Sequence, residues 1–221
     1  MLTLGIDTST NLLSVALVRG GEVLVSLDEP TKNNQSEILM SRIEGMLLQH
    51  QVKASQLDLI GVAVGPGSYT GIRVGVAAAK SLGYALGVPV VGISSLETMA
   101  VASGSEGIVV SMVDARRGTV FAGGWDQGQA IFPEGHYELE VLFDQLPGKE
   151  AIFFVGDGGV VHQDEVLSRF SQGQVMAEDQ FKRSKATVVA ELAKKRSPIK
   201  NIHQLVPNYL RKTEAEVNAG V

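Results

Sequence analysis

Apolar positions arrive along this chain first in short runs and then at helical spacing. Leu2-Thr3-Leu4-Gly5-Ile6 is an apolar run ending on Asp7, Leu12 to Val18 is a second, and Glu22 to Leu27 a third. Runs of this length bounded by polar turns predict strands. Gly20-Gly21 between the last two predicts a two-residue hairpin, because such turns need positive φ and glycine adopts it at little steric cost. From Asn33 the period changes. Leu39, Ile43, Met46 and Leu47 share one face, widened by Met40, which predicts a helix over 36–49 capped by Ser36 or Asn34.

Leu57 to Val64 predicts a further buried strand, followed by Gly65-Pro66-Gly67-Ser68-Tyr69-Thr70-Gly71 and a helix over 70–86. Pro89 to Ile93 then reads as a short strand, and a helix from Ser94 or Ser95 runs to Ala102. The order β-β-β-α-β-α-β-α implies a mixed sheet with helices on its faces. The second half echoes the first: Val109 to Val113 ends on Asp114 as Leu2 to Ile6 ends on Asp7. Each aspartate precedes a polar turn (Thr8-Ser9-Thr10-Asn11; Ala115-Arg116-Arg117-Gly118) and another strand. Such self-similarity points to a duplicated architecture, with a first lobe over 1–104 and a second, reduced one over 105–221. Ala151 to Val155 predicts a later strand ending in the Gly156-Asp157-Gly158-Gly159 loop. Ser184 to Arg196 predicts a final helix, whose Lys194-Lys195-Arg196 suits the negative end of its dipole and which Pro198 stops.

The 70–86 helix is the most informative stretch. Gly71, Gly75, Ala79 and Gly83 recur every four residues, so one face is nearly bare. Glycine inside a helix costs about 0.5–1 kcal/mol relative to alanine, so the bare face needs a close approach by another backbone. Only Arg73 and Lys80 are charged, and a helix apolar nearly all round is buried on more than one side. One side meets the sheet; the other meets either an element of this chain or a second chain. The interface reading takes Ser36, Leu39, Met40, Ile43, Met46 and Leu47 from the first helix. From the second it takes Thr70, Gly71, Val74, Gly75, Ala78, Ala79 and Leu82, since an apolar patch across two helices usually marks a contact.

Candidate chemistry is sparse. A glycine-rich loop opening a helix can bind phosphate, but Gly-x-x-x-x-Gly-Lys-Ser/Thr is absent and Thr70 stands where the dinucleotide fingerprint has its third glycine. Ser68 and Thr70 read equally well as helix caps. Asp7 and Asp114 could flank a magnesium–nucleotide complex, with Thr8, Ser68, Gly156 and Gly158 completing the set. Alternatively each aspartate bonds its own turn, or Asp114 pairs with Arg116 or Arg117. The four histidines (His50, His136, His162, His203) form no His-x-x-x-His pair, and no Gly-x-Ser-x-Gly elbow occurs. Zero cysteine excludes disulfides, thiolate zinc and a cysteine nucleophile, and fits a reducing cytoplasm.

Composition adds two points. With 221 residues, 44% of them hydrophobic, the chain can form one large or two small domains around a real core. No apolar run reaches the roughly 20 residues of a membrane span, and no basic leader precedes the first strand. The net charge of −5 hides an asymmetry: residues 1–180 carry 10 basic and 21 acidic side chains, whereas 181–221 carry 9 and 3. The basic segment over 181–212 reads either as a tail that meets an acidic surface or a polyanion or as the exposed face around one amphipathic helix, while the acidic whole argues against tRNA binding by the chain alone.

Four segments carry a family resemblance: Leu4-Gly5-Ile6-Asp7-Thr8-Ser9-Thr10, Gly65-Pro66-Gly67-Ser68-Tyr69-Thr70-Gly71-Ile72-Arg73-Val74-Gly75, Val113-Asp114-Ala115-Arg116-Arg117-Gly118 and Pro207-Asn208-Tyr209-Leu210-Arg211. They resemble the TsaB (YeaZ) family across essentially the whole chain. One departure is Gln35, where that family leads us to expect histidine. The resemblance implies an actin/Hsp70/sugar-kinase-like (ASKHA) fold of two related lobes. It also implies a non-catalytic role in making N6-threonylcarbamoyladenosine beside the anticodon of tRNA. The implied partners are the catalytic paralogue TsaD, which holds the metal in a His-x-x-x-His site, and the small ATPase TsaE. Family interfaces use the helices matching 36–49 and 70–86. An unpartnered apolar face there leads us to expect a homodimer of the isolated chain. ATP or ADP with Mg²⁺ is a candidate occupant of the subunit junction within the complex, and tRNA is expected to be reached only through that complex. No protease activity is expected without a metal pair. The rival expectation is an ATP-dependent enzyme of the same fold, an ATPase or small-molecule kinase.

Overall fold

A computed structural model describes residues 1–31, 34–147 and 151–210 in two compact units. The first comprises Met1–Thr98 with Arg183–Asn208; the second comprises Met99–Lys182 with Tyr209 and Leu210. In the first unit, β1 (Leu2–Asp7), β2 (Leu12–Arg19) and β3 (Glu22–Pro30) are antiparallel neighbours. α1 (Gln35–Gln49), β4 (Leu59–Ala63), α2 (Tyr69–Leu86) and β5 (Val90–Ile93) follow, and β4 and β5 join β1 in parallel to give the order β3-β2-β1-β4-β5. Gly20 and Gly21 turn the β2–β3 hairpin at φ 61° and 109°, as their sequence implies. α3 (Ser95–Ser103) leads onward.

The second unit holds β6 (Ile108–Asp114), β7 (Thr119–Asp126), β8 (Gln129–Glu138), α4 (Leu139–Phe143), β9 (Ile152–Val155), α5 (Asp157–Val161), α6 (Gln163–Arg169) and β10 (Gln174–Met176). Its sheet runs β8-β7-β6-β9-β10, with two antiparallel and two parallel pairings. Strand for strand this repeats the first sheet. The duplication heard faintly around Asp7 and Asp114 is a full topological repeat, and the architecture is the ASKHA fold of two related mixed sheets.

Alternation within the first sheet decides which side chains meet which helices. Leu4 and Ile6 of β1, Leu13, Val15 and Leu17 of β2, and Ile60 and Val62 of β4 form one core with Leu39, Ile43, Met46, Ile72 and Val76 of α1 and α2. Fully burying each such side chain contributes about 1.5–3 kcal/mol. The intervening positions are small. A Cβ on Gly5 would overlap the Ala186 carbonyl, Ala16 and Val18 pack on Ala186 and Ala190, and a Cβ on Gly61 would lie 2.9 Å from the Cβ of Ala193. All of these belong to the layer of α7 (Lys185–Ala193), which covers that face of the sheet.

This changes the chain division. The sequence reading placed 105–221 in one lobe, whereas residues 183–208 pack in the first unit. The reason is the bare face of β1 and β4, which accepts a helix only in close approach. α7 supplies one with Ala186, Val188, Val189, Ala190 and Ala193 buried, and it ends at Ala193, short of the expected Arg196. The Gly156–Gly159 run also differs from the expected loop, because Asp157–Val161 is the short helix α5.

Candidate functional site: two aspartate turns and an outward helix pair

β1 delivers Asp7 fully buried to the turn before β2. Its Oδ1 accepts the Ser9 backbone N–H at 2.8 Å and the Ser9 hydroxyl at 2.6 Å, the pattern of an aspartate closing its own turn. Thr8 Oγ1 donates to the Gly71 carbonyl (2.7 Å), and the Ser68 N–H donates to the Ser9 carbonyl (2.6 Å), so the turn is stitched to the start of α2. Ser68 is the N-cap of α2, its Oγ accepting from Gly71 N–H at 3.2 Å. Gln35, the departure from the family pattern, is buried and donates to the Thr10 carbonyl at 2.7 Å. Asp7, Thr8 and Ser68 are thus brought together, each through contacts inside the chain.

In the second unit Asp114 occupies the equivalent strand end. Its Oδ1 accepts the Arg116 N–H (3.0 Å), and the Arg116 side chain lies 3.8 Å from its other oxygen. His162 Nε2 lies 3.6 Å from Asp114 Oδ1, beyond hydrogen-bond range. Gly156, at φ 101°, and Gly158 both press on the backbone of Met112, and a Cβ at Gly156 would come within 2.5 Å of its carbonyl. Their bareness lets α5 sit on β6. Among the described residues no group of three or more His, Asp or Glu side chains gathers to hold a metal.

Asp157 at the start of α5 accepts the Asp114 N–H at 3.2 Å. Much of the residue meets solvent, but its carboxyl is desolvated. That desolvation pushes its pKa up, and the charges of Glu178 and Asp114 add to the shift. A raised folded-state pKa means stability present at low pH and lost as the carboxyl ionises. Asp157→Asn keeps the acceptor oxygen and is expected to raise the melting temperature at neutral pH. The gain should shrink as pH falls through the carboxylate range; an equal gain at both ends of a pH-dependent melting series would contradict the cause.

The helix pair divides into an inward and an outward face. Leu39, Ile43, Met46 and Leu47 of α1, and Gly71, Gly75 and Ala79 of α2, are buried within this chain. A Cβ at Gly71 would overlap the Thr8 carbonyl, and one at Gly75 the Thr8 hydroxyl. The glycine notch therefore accommodates the β1–β2 turn, which corrects the expectation that it receives a foreign polypeptide. Of the expected interface set, Ser36, Met40 and Thr70 are exposed, and Val74, Ala78 and Leu82 are half-buried. Sequence reasoning missed Leu48 (70% exposed), Ala77 and Tyr84 (75% exposed), although Met40-Glu44-Leu48 is a plain four-residue stripe. It also missed Lys185, which no local pattern marks. No described helix is long and apolar enough to cross a membrane, and Arg211 and Lys212 of the basic segment lie outside the described residues.

Residues 29–219 match the family model described as TsaD: tRNA N6-adenosine threonylcarbamoyltransferase. A Bacillus subtilis protein named tRNA threonylcarbamoyladenosine biosynthesis protein TsaB is 32% identical, covering 98% of this chain and 96% of that protein. The solved structure of YeaZ from Pseudomonas aeruginosa superposes with a TM-score of 0.74 at 25% identity, over 95% of this chain and 99% of that one. The ethanolamine utilization protein EutJ from Carboxydothermus hydrogenoformans, at TM-score 0.52 and 13% identity over 86% of this chain and 89% of its own, shares the fold alone. Near-complete coverage by a TsaB-named relative, together with the YeaZ structure, establishes that this chain belongs to the TsaB (YeaZ) family.

Proposed function

We propose that this chain is the non-catalytic scaffold subunit in the synthesis of N6-threonylcarbamoyladenosine in tRNA, docking a catalytic paralogue of the TsaD type through the outward face of α1 and α2. The observation that carries the reading is the exposed stripe formed by Met40 and Leu48 on α1 with Thr70, Ala77 and Tyr84 on α2. α1 packs on α2, and Met40, Leu48 and Tyr84 are among the large hydrophobic side chains that these helices leave exposed. Large apolar groups left in water on adjoining helices mark an interaction site. The small side chains of Ala77 and Ser81 would admit a helix at short range. The internal engagement of Asp7, Ser68 and Asp114 supports a role without chemistry of its own.

In this reading no cofactor is tightly bound to the chain alone; ATP or ADP with Mg²⁺ belongs to the junction with the paralogue, where TsaE also joins. The isolated chain pairs with a second copy through the same face, meets tRNA only inside the assembly, and works in the cytoplasm. No protease activity accompanies it.

The test is a pair of outward variants, Leu48→Glu and Ala77→Arg, titrated against TsaD. Each is expected to weaken association roughly tenfold or more, since a charge is forced into a desolvated contact. Melting curves should stay within about 0.5 kcal/mol of the parent, as for most surface substitutions. Wild-type affinity from both folded variants would overturn the docking surface.

A further inference from the structure

Lys185 is 2% exposed and begins α7. Its Nζ lies 3.8 Å from Asp7 Oδ1 and donates to Thr10 Oγ1 at 2.8 Å. The residues on either side of it are fastened as well. The Ala186 N–H donates to Ser14 Oγ at 3.0 Å, and the Ser184 hydroxyl donates to Asp28 Oδ1 at 3.1 Å. The ammonium is thus fixed within the β1–β2 turn. Asp7 is itself fully buried, and among the described residues its Oδ2 has no hydrogen-bond partner. A buried carboxylate needs a cation, and here that cation is a side chain.

A carboxylate beside threonine and serine hydroxyls is an oxygen set that would suit a hard divalent cation. With the lysine in place the set does not fit one, because a second cation at Asp7 would meet the ammonium at close range. We propose that Lys185 is the resident cation of this turn: it takes the position beside Asp7 that a divalent metal ion would otherwise hold, and closes the turn to metal-bound phosphates. Residues 183–208 pack in the first unit although the second unit separates them from Thr98 in the sequence, so the clasp is supplied by α7. The inference concerns this turn alone and stands whether or not the α1–α2 face docks a paralogue.

The full-length chain carrying Lys185→Ala tests it. Alanine keeps helix propensity and leaves the space of the lysine stem for an ion with its waters. The variant is expected to melt lower than the parent and to regain stability as MnCl₂ or MgCl₂ is added. Calorimetry should detect a bound cation in the variant that the parent does not bind. The double variant Asp7→Asn/Lys185→Ala removes both charges and should lose the cation response. Three results would overturn the proposal: a single variant that stays unfolded in millimolar cation, a single variant with the parent's cation response, or a parent whose cation binding is abolished by Asp7→Asn.

Discussion

A chain ending at Lys182 is expected to lose the first unit as a cooperative fold while the second sheet can still form. α7 buries Val188, Val189 and Leu192, along with four small or β-branched neighbours, against β1, β2 and β4. At about 1.5–3 kcal/mol for each large apolar side chain, these three alone approach the typical stability of a whole domain, about 5–15 kcal/mol. Truncation would also strand the Asp7 carboxylate without Lys185 and leave Ser14 without the Ala186 N–H. Circular dichroism and hydrogen exchange on the truncated chain provide the measurement. Protected amides in β1 and β4 at parental levels would show that the sheet does not depend on this helix.

Gly71→Ala is the second large effect, and its sign is opposite to helix propensity. In an open helix the change stabilises, by about 0.5–1 kcal/mol. Here the new methyl would overlap the Thr8 carbonyl and stand 2.9 Å from Gln35 Oε1. Thr8 belongs to the turn that holds Asp7, and the Gln35 amide is tied to that turn through the Thr10 carbonyl, so neither yields without disturbing the strand end. Overpacking of this kind costs about 1–3 kcal/mol, or a melting point lower by roughly 2–4 °C for each kcal/mol in a chain of this size. Gly45→Ala on α1 is the matched control, because nothing lies within 4 Å of its added Cβ. It should raise the melting temperature. If Gly71→Ala stabilises as Gly45→Ala does, then Thr8 does not fill the notch.

The helices and strands of the first sheet were readable because each repeats one period over enough residues. β1, β2 and β4 read as continuous apolar runs since both their faces are covered, by α1 and α2 on one side and α7 on the other. α4, α5, α6, β8 and β10 were not read. The three helices span only five to seven residues and β10 three, too short for a period to register, while Pro133 and Gly135 interrupt β8. Of the site, Asp7 and Asp114 were legible as strand-end aspartates, and the bond each makes to its own turn is a local property of Asx residues.

By itself the sequence determined the alternation of elements from β1 to α3, the hairpin at Gly20-Gly21, a helix cap at Ser68 or Thr70, and the need of the α2 glycines for a close neighbour. Each follows from interactions within a few residues, where propensity and sterics act alone. Only the tertiary structure decided what that neighbour is, since Thr8 lies more than sixty positions from Gly71 and no periodicity links them. The same holds for Lys185 beside Asp7 and for the outward placement of Leu48 and Tyr84. Which side of a helix stays in water depends on the areas competing to cover it, and that competition exists only once the chain has folded.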